Sequence, residues 1–188
     1  LIRLMHNANK TSTDKTLIQK RNELIIEALH LLKLMSICPD NHKAILELGL
    51  INFMERLITV TPLDNIDIYI NTLEVLKNCT WSESAVLILL DSPFFDHLIK
   101  EVLNLYADPA QLSSHDKMKL CFTYDNMTFT NICKCSKGFD SVFKLIGIDK
   151  LRSLGLQSDN IDMINAIIEM IINYVGNNKD NVKADKHA

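Results

Sequence analysis

The sequence predicts an all-α fold, a solenoid of stacked helices, and three observations predict it. A helical phrase recurs: Glu27-Ala-Leu-His-Leu-Leu-Lys-Leu-Met-Ser36, Thr72-Leu-Glu-Val-Leu-Lys-Asn78-Cys and Met127-Thr-Phe-Thr-Asn131-Ile, with a fourth opening at Ile167-Ile-Glu-Met-Ile-Ile-Asn173-Tyr. The polar residues closing these helices, Lys33, Asn78, Asn131 and Asn173, are separated by 45, 53 and 42 residues, around the ~40–47 of two- and three-helix repeats. The distance to the next punctuation is also kept: Lys33 to Gly49 and Asn131 to Gly147 are both 16 residues, and Asn78 to Pro93 is 15. An unrelated bundle has no reason to hold that distance, because its helices need not share lengths or loops.

Each element has a local cause. In the first long helix Leu24, Ala28, Leu31, Leu34 and Met35 follow the i, i+4, i+7 rhythm, and Ile25, Leu29 and Leu32 widen the apolar face; a helix so patterned is expected to be covered on most sides. In the last, Ile164, Ile167, Ile168, Met170, Ile171 and Ile172 are apolar nearly all round, as expected of a helix sandwiched between neighbours. No period-2 alternation persists and no Asn-Gly or Asp-Gly hairpin signal occurs. Pro39 and Pro62 follow apolar helical runs, and Gly49 and Gly147 stand where the chain must turn sharply into the next helix, which positive φ permits. Thr61-Pro-Leu-Asp64 and Ala107 to Asp116 read as loops, the second a surface insertion that lengthens the 53-residue interval at little cost, ~0.6 kcal/mol per doubling of loop length.

The 188 residues, 47% of them hydrophobic, with five glycines and four prolines, suffice for one continuous core. The expected organisation is a single solenoid over 1–188, with units at about 16–62, 63–106 and 116–156, a partial unit at 157–176 and a polar tail at 177–188. Leu1-Ile-Arg-Leu-Met5 reads as the end of a helix, as expected of a fragment of a longer array. No run of ~18 uncharged apolar residues predicts a membrane span, and no signal peptide is recognisable.

Five cysteines, Cys38, Cys79, Cys121, Cys133 and Cys135, are odd in number and lie in apolar helical contexts, which reads as reduced and intracellular, cytoplasmic with the nucleus as a second compartment. Cys133-Lys-Cys135 lacks the spacing and second ligand pair of a zinc site, so core packing is expected and no metal or cofactor is. The sequons at Asn9, Asn78 and Asn126 are read as chance, the latter two lying in predicted helices. No phosphate loop, His-Glu-x-x-His or Gly-x-Ser-x-Gly occurs, so no enzyme is predicted. His30 is expected to be a partly buried packing residue and His42 to face solvent. A net charge of −3 without a basic stripe argues against nucleic acid.

The helix ending Leu73-Glu-Val-Leu-Lys-Asn78-Cys and the junctions Leu48-Gly49-Leu50-Ile51 and Ile146-Gly147-Ile148-Asp149 resemble those of the armadillo-repeat family over roughly residues 16–176, with HEAT repeats the nearest alternative. The resemblance implies a right-handed α-α superhelix whose concave face binds an extended peptide through a ladder of asparagines. Asn78, Asn131 and Asn173 occupy the ladder position, and Lys33 replaces asparagine in the first copy. An amide offers both donors and an acceptor, so it can clamp a peptide unit without reading its side chain. Import receptors of this family place tryptophan four residues before the asparagine; here Leu29, Glu74, Met127 and Glu169 stand there, and the one tryptophan, Trp81, follows Asn78. Nor is the surface strongly basic in the manner of catenins, since Glu74 and Glu169 balance Lys33, Lys77 and Lys134. The expected function is therefore a non-catalytic adaptor for a peptide or helix of another protein, with Lys33, Lys77, Asn78, Trp81, Asn131, Lys134 and Asn173 as groove contacts. A scaffold module buried within a larger assembly is the alternative.

Overall fold

The computed structural model describes residues 15–59, 66–107 and 116–157, together with 161, 164, 165, 168, 169, 171 and 172. Asn173, Pro62, the expected loop segments 61–64 and 108–115, residues 1–5 and the 177–188 tail lie outside the described residues. All regular structure among the described residues is helical. The helices are α1 (Lys15–Met35), α2 (His42–Ile45, continued by a wide turn Leu46–Leu50), α3 (Ile51–Thr59), α4 (Ile66–Cys79), α5 (Glu83–Leu90), α6 (Pro93–Ala107), α7 (Asp116–Lys134) and α8 (Ser136–Gln157), the last broken at Gly147. The chain divides into two compact units, Leu1–Thr128 and Phe129–Ala188.

Within the first unit the order long helix, short helix, third helix occurs twice, and like packs on like: α1 on α4, α2 on α5, α3 on α6. Helix α1 buries Ile25, Ala28, Leu29 and Leu32, an i, i+3, i+4, i+7 stripe. Helix α4 buries Ile68, Tyr69 and Ile70 consecutively, then Thr72, Leu73, Val75, Leu76 and Cys79, because it meets α1, α2 and α3 together. The inward Thr72 hydroxyl is satisfied by donating to the Ile68 carbonyl at 2.6 Å. Phe53, Met54, Leu89, Phe94 and Leu98 complete this core. The second unit centres on Phe129, Ile132, Cys133, Phe139 and Val142, with the rings of Phe139 and Phe143 stacked at 5.9 Å.

Two glycines have the backbone that the turns require. Gly49 has φ 105° and ψ 24°, and Gly147 has φ 73° and ψ 165°; both lie where a side chain is disfavoured. Gly138 is needed for another reason, since a Cβ there would collide with the Ile132 carbonyl oxygen.

Three expectations are corrected. The α1 residues Leu24, Leu31, Leu34 and Met35 are exposed, because α4 is the principal partner of α1 and covers only the neighbouring Ile25–Leu32 stripe. Of the described isoleucines in the last helix, Ile168, Ile171 and Ile172 are likewise exposed rather than sandwiched, and Ile164 is half-buried. The histidine environments are reversed: His30 is exposed beside Glu27 (3.7 Å), whereas His42 is 3% exposed. The packing of α2 against α4 and α5 puts His42 inside, where its Nε2 donates to the Ser36 carbonyl at 2.8 Å and closes the turn between α1 and α2.

Candidate interaction face

The candidate site is built on the C-terminal turns of α1 and α4. Both helices run out through the same bonds. Ser36 N–H donates to Leu32 O (2.8 Å), Ile37 to Leu34 (3.3 Å) and Cys38 to Met35 (3.3 Å); Thr80 donates to Leu76 (2.9 Å), Trp81 to Asn78 (3.3 Å) and Ser82 to Cys79 (3.1 Å). The hydroxyls repeat as well, Ser36 Oγ on Lys33 O at 2.7 Å and Thr80 Oγ1 on Lys77 O at 2.9 Å. Every bond is offset by 44 residues, one less than the sequence alignment suggests. Lys33 is therefore the counterpart of Lys77, Leu34 of Asn78, and Ile37 of Trp81. The third turn is shorter: Cys135 N–H donates to Ile132 O at 3.1 Å and α8 starts at the next residue.

Local sequence explains the two long turns. Pro39 cannot continue α1 and opens a short 3₁₀ turn instead, while Asn41 Nδ2 donates to the Met35 carbonyl at 2.9 Å. After α4, Ser82 takes an extended backbone and its Oγ accepts from Ala85 N at 3.3 Å, capping α5.

The equivalent lysines reach in the same direction along the stack. Lys33 Nζ lies 2.8 Å from Glu74 Oε1, with the lysine side chain 41% and the glutamate 15% exposed. Lys77 Nζ lies 5.1 Å from the centre of the Tyr124 ring, a cation–π distance. The Glu74 carboxylate also acts on Tyr124, so α1, α4 and α7 are linked by one cluster of charged and polar side chains. The Glu74 hydrogen bond is the main cause raising the Lys33 ammonium above its ordinary pKa, opposed by burial. For Tyr124 burial is the main upward push, followed by the charge of Glu74. At the other end of α4 the exposed pair Lys117–Asp67, at 2.7 Å, makes a second tie to α7.

Ser36 is the hub between repeats. Its hydroxyl accepts from Asn78 Nδ2 at 2.9 Å and its carbonyl accepts from His42. Asn78 is thus half-buried and spends one amide N–H on the neighbouring helix; its chemistry still includes a second N–H and a carbonyl oxygen. Trp81 is 67% exposed and its counterpart Ile37 is 69% exposed. In the second unit Asn131 is 8% exposed and engaged within the fold, while Lys134 is exposed. Lys33, Lys77, Asn78 and Trp81 are therefore together on the first unit, and Asn131 and Lys134 belong to the second.

Sequence reasoning missed Ser36, His42 and Tyr124. The signal available for Ser36 was a hydroxyl three residues after a lysine in both copies, Lys33/Ser36 and Lys77/Thr80.

Cys79, Cys121, Cys133 and Cys135 are buried and Cys38 is exposed; burial pushes the Cys79 thiol up to about 12 and that of Cys133 well above its ordinary value. Among the described residues no group of three or more His, Cys, Asp or Glu could hold a metal ion, and no helix is long and apolar enough to cross a membrane. Comparison of the chain with protein-family models, with curated proteins and with solved structures finds no match.

Proposed function

We propose that this chain is an armadillo-like solenoid acting as a non-catalytic interaction module, and that the C-terminal turns of α1 and α4 bind a peptide or helix of another protein. The observation that carries this reading is the equivalence of Ile37 and Trp81, two large apolar side chains presented about two-thirds exposed from the same turn of successive repeats. Like-on-like packing of the first two helix trios supports the solenoid part of the proposal. Apolar anchors rimmed by polar groups are what protein interfaces use for affinity. Asn78, Lys77 and Lys33 supply the rim. The Lys33–Glu74–Tyr124 chain fixes the helices behind it, so the two apolar side chains are held at a set spacing. Reduced cysteines in the core fit a cytoplasmic or nuclear setting.

The test is selection of peptides from a displayed library on the intact chain, followed by titration against Trp81→Ala and Ile37→Ser. Each change should weaken selected peptides about 30-fold, as for a hot-spot truncation of ~2 kcal/mol, and leave the helical spectrum unchanged. Peptides bound equally by wild type and both variants would contradict the proposal. The scaffold alternative is favoured by a different observation, the exposed leucines on α1, which lie largely apart from this face.

A further inference from the structure

The outer side of α1 carries Leu17, Leu24 and Leu31, all more than half exposed and spaced seven residues apart. Residues seven apart on a helix form a nearly straight seam, the pattern that pairs one helix with another. The seam is symmetric about Leu24, with leucine seven residues before and seven after. Its charges are not symmetric: exposed Lys20 lies four residues before Leu24 and exposed Glu27 three residues after it. Exposed Glu23 stands four residues before Glu27 on the same flank, and the His30 ring lies 3.7 Å from Glu27 on its other side.

We infer that α1 pairs antiparallel with α1 of a second copy of this chain, on a two-fold axis at Leu24. That arrangement sets Leu17 on Leu31 of the other copy and Leu24 on itself, and it places Lys20 of each copy beside Glu27 of the other. A parallel pair would set Lys20 on Lys20 and Glu27 on Glu27, so the charge pattern selects the antiparallel orientation. A closed two-fold contact uses the same patch on both copies, and a seam that matches itself under reversal meets that requirement. The pairing spans residues 17–31 and ends before Ile37, which leaves the proposed peptide-binding face open. It is independent of that function and is tested without any peptide.

Sedimentation equilibrium of the full chain at tens of micromolar should give about twice the monomer mass of 21.4 kDa. Leu24→Lys should give the monomer. Lys20→Glu and Glu27→Lys should each weaken the dimer about tenfold, and the double variant K20E/E27K should restore it, because two exposed charge pairs are reversed together. All three positions are exposed on one helix, and an unchanged helical melt would verify that each variant folds. A wild-type chain that stays monomeric overturns the inference, as does a dimer that survives Leu24→Lys or that the double charge reversal fails to rescue.

Discussion

Lys33 and Lys77 occupy the same place in successive repeats, 44 residues apart, and each reaches across to the next long helix: Lys33 to the Glu74 carboxylate at 2.8 Å, Lys77 to the Tyr124 ring at 5.1 Å. Glu74 is where the two reaches meet, since it holds the Lys33 ammonium and its charge also bears on Tyr124.

Glu74→Gln should lower stability by ~0.5–1 kcal/mol, modest because Lys33 is partly solvated and water screens the pair. The loss should shrink in high salt. The phenol of Tyr124 should titrate at lower pH in the variant, because the carboxylate that raises it is gone. Denaturant melts and an ultraviolet titration of tyrosine would check both; an unmoved tyrosine titration would argue against an influence of Glu74 on Tyr124.

Stability should fall at alkaline pH. The Cys79 thiol is pushed from its ordinary 9.0 up to about 12 by burial, so above pH 9 the unfolded chain loses a proton that the folded chain keeps. The stabilisation is whole below pH 9 and declines between 9 and 12; the raised Cys133, Tyr124 and Lys33 act in the same direction. Thermal melts from pH 8 to 11 should show a falling midpoint, with a shallower fall in Cys79→Ala even though that variant starts less stable. At pH 8 a thiol reagent should label exposed Cys38 quickly, and Cys79 and Cys133 only on unfolding.

The glycines separate two kinds of cost. Gly138→Ala meets the Ile132 carbonyl and should destabilise by ~1–3 kcal/mol. Gly147→Ala meets nothing within 4 Å and should cost only the backbone term, ~1–3 kcal/mol at a φ of 73° and ψ of 165°. Asparagine should be tolerated better than valine at Gly49, whose φ and ψ lie near the left-handed helical region. No such relief is expected at Gly147, whose ψ of 165° lies far from it. Equal losses for asparagine and valine at Gly49 would argue against its backbone assignment.

Ser36 and Asn78 should be coupled. Removing Asn78 takes a donor from the buried Ser36 hydroxyl, and removing that hydroxyl takes the acceptor from the half-buried Asn78 amide, so Ser36→Ala and Asn78→Ala should each cost ~1 kcal/mol, and the double variant less than the two combined. Strict additivity would mean that the bond holds nothing together.

The sequence made the helices, their order and the two positive-φ glycines legible, because hydrophobic period and glycine placement are local signals. Side-chain burial was less legible. His42 sits among polar neighbours in sequence, and only the packing of α2 against α4 and α5 puts it inside. The exposure of Leu24 and Leu31 depends on how much of α1 a neighbour covers, which periodicity does not specify. The register of the first copy slipped by one because a polar residue was matched to a polar residue, Lys33 to Asn78, whereas the turn hydrogen bonds match Leu34 to Asn78. Tyr124 and Ser36 were invisible because their partners lie 50 and 42 residues away.

Trp81 is the only tryptophan of the chain and is two-thirds exposed, so its own emission reports on the proposed face. Titrating the intact chain with a tryptophan-free peptide selected on it should shift that emission to the blue, and Ile37→Ser should move the midpoint to about 30-fold higher concentration. A peptide that binds at full stoichiometry while the emission of Trp81 stays that of an indole in water would contradict the assignment of this face.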